Sequence, residues 1–128
     1  MRADLRMESH RRVLIVEDDR DTAEGLRRLL GLCGFEVEVA HTAAQGLSTA
    51  ARLHPHIVLC DIGLPDSDGY VVASVLRQSR QTSAARLIAV TAYGQPQDRR
   101  RALAAGFDAH LVKPVDARTL LVELETTL

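Results

Sequence analysis

Ile57-Val58-Leu59-Cys60-Asp61 is a run of four apolar residues closed by a carboxylate. The helix-breaking pair His54-Pro55 stands just ahead of it, and the turn-rich stretch Gly63-Leu64-Pro65-Asp66-Ser67-Asp68-Gly69 just behind. A short apolar run bounded in this way reads as a strand buried on both faces. Three other runs share the form. Val13-Leu14-Ile15-Val16 enters Glu17-Asp18-Asp19, Leu87-Ile88-Ala89-Val90 enters Thr91, and Leu111-Val112 enters Lys113-Pro114. Strands covered on both faces belong to parallel sheets, whose carboxyl ends share one edge. Open α/β sheets bind ligands at that edge. The runs therefore predict a crevice holding an acidic pair, a lone carboxylate, a hydroxyl and an ammonium.

Helical patterns fill the gaps between the runs. Asp21 or Thr22 is suited to cap a helix with Leu26, Leu29, Leu30 and Cys33 on its apolar face, stopped near Gly34. Phe35-Glu36-Val37-Glu38-Val39 alternates, as an edge strand does. Thr42 caps a second helix that turns Ala43, Leu47, Ala50, Ala51 and Leu53 inward. A third helix spans about Tyr70 to Gln78, and a fourth roughly 97–105, ended by Gly106. A short strand at 109–112 leads to a last helix from Asp116 to about Thr126, with Leu120, Leu121 and Leu124 inward. Five strands alternating with five helices, joined by right-handed crossovers, predict an α/β fold with a doubly wound parallel sheet. Residues 1–11 are polar and aperiodic, a leader or linker remnant, and nothing divides 12–128, which reads as one domain.

Composition narrows the function classes. The chain has 128 residues, of which 46% are hydrophobic and 26% charged, enough for one sizeable core. With two Phe, two Tyr and no Trp, it lacks stacking platforms for single-stranded nucleic acid. A net charge of −1 gives no pull toward nucleic acid or anionic membrane. There is no run long enough for a membrane span and no signal-peptide core. Cys33 and Cys60 lie in apolar surroundings without CxxC spacing and read as reduced, buried thiols of a cytoplasmic protein.

Glu17-Asp18 and Asp61, 43 residues apart from Asp18 to Asp61, would meet at the ends of adjacent strands. Two carboxylates about 4 Å apart repel by about 4 kcal/mol at an effective dielectric of about 20. Mg²⁺, which takes hard oxygen ligands and retains waters, resolves that repulsion. A carboxylate can itself be a nucleophile that forms an aspartyl phosphate. Phosphoryl transfer then asks mainly for neutralisation of the equatorial oxygens. Mg²⁺ would serve one oxygen, Lys113 a second, and the Thr91 hydroxyl with nearby backbone N–H groups a third.

The blocks Val-Glu-Asp-Asp (16–19), Asp61-Ile-Gly-Leu-Pro-Asp-Ser-Asp-Gly69, Thr91-Ala92 and Lys113-Pro114 resemble the receiver domain of two-component response regulators over about residues 12–127. The resemblance implies a five-stranded, flavodoxin-like sheet of order 2-1-3-4-5. It makes Asp61 the phosphoacceptor, and Asp18 a direct Mg²⁺ ligand. Glu17 would act on the metal directly or through water, and the Gly63 carbonyl would complete the protein ligands. Lys113 would contact the phosphoryl group, its peptide to Pro114 would be cis, and Thr91 would be the hydroxyl that follows phosphorylation. Asp19 falls outside the acidic pair and reads as a solvated or capping residue. The implied partners are a histidine kinase or a His-phosphotransfer protein upstream and an effector protein or domain downstream, with no direct nucleic acid or membrane contact.

Two positions depart from the family pattern. His110 stands three residues before the lysine, where relatives carry Tyr or Phe. It reads either as a half-buried strand-end histidine or as a switch that titrates near neutral pH. Val115 replaces a common Phe after Lys-Pro. Arg99-Arg100-Arg101 reads as a solvated helix face, and His54 and His56 as products of the helix break, not as a metal pair. The alternative function is a Mg²⁺-dependent phosphohydrolase, which would need an acid/base two residues after the nucleophile, where Gly63 stands. The chain reads as a stand-alone regulator or as a receiver cut from a larger protein such as a hybrid kinase.

Overall fold

The computed structural model describes residues 11–92 and 94–125. Its strands are β1 (Arg12–Val16), β2 (Glu36–Ala40), β3 (Ile57–Asp61), β4 (Arg86–Thr91) and β5 (Ala109–Val112). The helices between and after them are α1 (Arg20–Leu32), α2 (Ala43–Leu53), α3 (Gly69–Gln78), α4 (Pro96–Ala105) and α5 (Ala117–Glu125). Every strand pairing is parallel, in the order β2-β1-β3-β4-β5. The fold, its strand order and its helices are those expected, and the expected leader falls almost wholly outside the described residues.

The continuous apolar runs work because successive side chains leave a strand on opposite faces. Leu14, Val16, Val58, Cys60, Leu87 and Ala89 pack under α2, α3 and α4, through Ala50, Val72, Leu76 and Ala102. Val13, Ile15, Ile57, Leu59, Ile88 and Val90 pack under α1 and α5, through Ala23, Leu30, Leu120 and Leu124. β2 is an edge strand with only Ala40 fully buried.

The helix ends refine several expectations. Asp19, not Asp21 or Thr22, caps α1, its carboxylate accepting from the Thr22 N–H and hydroxyl. α1 ends in a Schellman turn: Phe35 N–H donates to Leu30 O and Gly34 N–H to Gly31 O, with Gly34 at φ 95°. Cys33, the C-cap of that helix, is exposed rather than buried. Cys60 is buried as expected, and burial pushes its thiol well above the usual range. Thr42 does cap α2, but Ala51 faces outward while Gly46 takes the buried place against Val16. The second strand starts at Glu36, one residue past Phe35.

At the edge opposite the charged crevice, the Arg12 guanidinium donates to Leu53 O and His54 O at the end of α2. The Arg12 N–H donates to Nδ1 of His56, 3.0 Å away, and the His56 N–H donates to Arg12 O. His56 therefore carries no proton on Nδ1. Burial, with the charges of Arg12 and Arg11, holds its pKa below the usual histidine value. A lowered folded pKa stabilises the fold above the unfolded value of about 6.5, and that contribution is lost as pH falls through the folded one. Chemical denaturation at pH 7.5 and pH 5 should show wild type losing about 1 kcal/mol more than His56→Asn, which keeps an acceptor and does not titrate. Equal losses would refute this assignment.

Candidate functional site

Four of the five strands, β1, β3, β4 and β5, deliver the groups at the carboxyl edge of the sheet. Glu17 follows β1, its N–H still paired to Ala40 O at 2.9 Å, and it is only 3% exposed. Asp61 ends β3 and is 8% exposed, while Asp18 is open to solvent. Thr91 ends β4 and is buried. Lys113 follows β5, its N–H donating to Thr91 O at 2.8 Å, and its peptide to Pro114 is cis.

The Lys113 ammonium joins two of the carboxylates. Its Nζ donates to Glu17 Oε1 at 2.7 Å and to Asp61 Oδ2 at 3.3 Å. The second Glu17 oxygen accepts from the Asp19 N–H at 3.0 Å, and Asp61 Oδ1 accepts from the Gly63 N–H at 3.3 Å. One oxygen from each of Glu17, Asp18 and Asp61 lies within 4.8 Å of the other two. Burial raises the Glu17 pKa against the opposing bonds from Lys113 and Asp19, and the Asp61 charge adds to the rise. Burial also acts to lower the Lys113 pKa, but the bond to Glu17 and the charges of Asp61 and Glu17 outweigh it and hold the ammonium above its usual value. Lys113 is thus a fixed cation facing more negative charge than it can balance. Such a donor set, hard oxygens in excess of local positive charge, fits a small divalent cation.

The remaining predicted residues fall as follows. Gly63 sits in the loop after Asp61, joined to Asp68 by an isolated antiparallel bridge. Asp19 turns away to cap α1. His110 pairs with Ala89 in register, and Thr91 with Val112, so strand alternation puts His110 on the sheet face shared by Ala89 and Thr91. It is half-buried there. Arg99 and Arg100 are solvated, whereas Arg101 lies over the Tyr70 ring, 4.2 Å from its centroid, and ties α4 to α3. Among the described residues the only metal-capable cluster is the acidic one, so His54 and His56 do not form a second.

Three contacts escaped the sequence. Gly69 is required by packing: a Cβ there would stand 2.5 Å from Asp61 O and 2.9 Å from Ile62 Cα. The His41 Nδ1 lies 2.9 Å from Glu17 O, and because a carbonyl only accepts, that nitrogen carries the proton. Asp66 accepts N–H bonds from Ala43 at 2.7 Å and Ala44 at 3.0 Å, across 23 and 22 residues. The Gly at 69, immediately after a capping Asp, was a readable signal for the first. Nothing local marks the other two.

A family model described as the response regulator receiver domain matches residues 13–125. KdpE, the KDP operon transcriptional regulatory protein of Escherichia coli K12, is 38% identical over 116 residues, which are 91% of this chain and 50% of that one. The chain thus spans half the length of that relative, and about half of several other regulators it matches. A receiver domain structure from Methanospirillum hungatei superposes with a TM-score of 0.85 at 33% identity, covering 91% of this chain and 92% of that one. The receiver domain of the Pseudomonas aeruginosa sensor histidine kinase PA1611, described with a magnesium ion coordinated in its active-site cleft, gives 0.84 at 27% identity over 91% and 96%.

The excess of negative charge makes a stability prediction. Asp61→Asn removes one of three crowded carboxylates against a single ammonium, and should stabilise the metal-free protein by about 1 kcal/mol at low salt. The gain should shrink as salt is added. Thermal unfolding in chelator checks both, and a destabilised Asp61→Asn would contradict the charge account.

Proposed function

The chain belongs to the response regulator receiver domain family of two-component signalling, and from that premise we propose that Asp61 accepts a phosphoryl group in the presence of Mg²⁺. The observation that carries this reading is the Asp61 carboxylate itself. It is almost buried, ionically paired to Lys113 at 3.3 Å, and clustered with Glu17 and Asp18. Asp18, Glu17, Asp61 and the Gly63 carbonyl would hold the metal, in keeping with the magnesium described in the Pseudomonas receiver. When bound, Mg²⁺ supplies positive charge to the carboxylates and to one phosphoryl oxygen.

The chain's own groups do the rest. An Asp61 oxygen attacks phosphorus, an O–P bond forms, and the P–N bond to a donor phosphohistidine breaks. The electron pair leaves with the imidazole nitrogen, which takes a proton from solvent. Lys113 is held at the attacking carboxylate and neutralises a second phosphoryl oxygen, while the Thr91 hydroxyl serves as donor to a third. Thr91 shares its sheet face with His110, so movement of that hydroxyl would be passed to β5 and α4, with His110 as the switch residue. The donor is a histidine kinase or His-phosphotransfer protein, and the readout is altered binding of an effector protein or domain. Its setting is the cytoplasm.

The domain acts as an acceptor, not as a turnover enzyme. A phosphohydrolase working through the same aspartyl phosphate needs an acid/base two residues on, and that place is Gly63. Intact-mass measurement after incubation with Mg²⁺ and an acyl-phosphate donor should show one added phosphoryl group. Asp61→Asn or excess chelator should abolish it. An unchanged yield in either arm would overturn the proposal.

A further inference from the structure

The loop between β3 and α3 carries Gly63, the backbone ligand proposed above, and follows directly from the phosphoacceptor. At its base it is tightly fixed. Gly69 N–H donates to Ile62 O at 2.8 Å, Gly63 bridges to Asp68, and Ile62 and Leu64 are sunk in the core. Its tip, Pro65 and Asp66, is exposed. The Asp66 side chain ties the tip to the start of α2, where both its carboxylate oxygens accept N–H bonds.

The contact is well matched. The first N–H groups of a helix have no intrahelical partner and carry positive dipole charge. Thr42 Oγ1 takes the Gln45 N–H at 3.0 Å, and Asp66 takes those of Ala43 and Ala44. These backbone bonds, Ala44 first and Ala43 next, hold the Asp66 carboxyl below the usual carboxylate range. α2 is a firm anchor, because Gly46 brings it against Val16, the residue before Glu17. The helix that receives Asp66 therefore rests on the strand that delivers the acidic pair.

We propose that Asp66 is a positioning residue: by bonding to the Ala43 and Ala44 N–H groups it couples the Gly63 loop to the β1–α2 unit carrying Glu17 and Asp18, and so sets Mg²⁺ affinity. This rests on the metal reading of the site given above. Asp66 touches neither metal nor phosphoryl group and acts through the loop alone. Loss of a partner bonded directly to a metal ligand typically weakens metal binding by 10- to 100-fold, and Asp66, one step further out through the loop, belongs at the low end of that range.

The test is a titration of the full chain with Mg²⁺ alone, followed by backbone amide shifts, for wild type, Asp66→Ala, Asp66→Asn, Thr42→Ala and Asp61→Asn. Asp66→Ala should bind about tenfold more weakly than wild type. Asp66→Asn, which keeps one acceptor, should fall between the two, and carries the test if Asp66→Ala does not fold. Thr42→Ala loses the other side-chain bond at the same helix end and should lower the melting temperature without weakening Mg²⁺ binding. Equal affinity in wild type and both Asp66 variants would overturn the coupling alone, as would equal weakening by Thr42→Ala. Wild-type Mg²⁺ binding that is absent, or that Asp61→Asn leaves unaltered, would instead overturn the metal reading and the inference resting on it.

Discussion

One ammonium group faces more carboxylates than it can neutralise, and the rest of the site is arranged around that imbalance. Lys113 reaches Glu17 and Asp61 together, while Asp18 remains open to solvent beside them. Burial of Glu17 makes the imbalance costly, since a carboxylate withdrawn from water needs a partner for its charge. Among the described residues, Glu17 and Asp61 are met by the Lys113 ammonium and by two backbone N–H groups, from Asp19 and Gly63. The deficit that remains is what a divalent cation would relieve.

The sheet makes this crowding possible. Parallel strands in the order β2-β1-β3-β4-β5 place β1 and β3 side by side, so that Glu17, Asp18 and Asp61 converge from segments far apart in the chain. β4 and β5 are also neighbours, and the bond from Lys113 N–H to Thr91 O fixes the lysine to the strand that ends in the hydroxyl. Two cores, one on each face, hold those strand ends in place. Stability of the apolar layers and polarisation of the edge are thus separate parts of one architecture.

Much of this was legible from residue order. Continuous apolar runs, each ending in a charged or hydroxyl group, specify both the parallel sheet and the edge where the groups collect. Thr42 as a cap and Gly34 as a stop are local signals, and both act as read. The failures were of geometry at helix ends. Asp19, read as a solvated or capping residue, takes the cap two residues ahead of Asp21, and Cys33, at the C-cap of α1 beside the Schellman turn, is exposed. Asp66 and His41 were illegible for a different reason. Their partners, Ala43, Ala44 and the Glu17 carbonyl, are backbone groups, which sequence type does not distinguish.

The claim that the edge accepts a phosphoryl group on one particular carboxylate is tested most directly by chemical trapping. Protein treated with Mg²⁺ and an acyl-phosphate donor is reduced with borohydride, which converts an aspartyl phosphate to homoserine, and the converted residue is located by peptide mass spectrometry. The account predicts homoserine at position 61 and nowhere else. Conversion at Asp18 or Asp19, or at no position while the fold is intact, would contradict it.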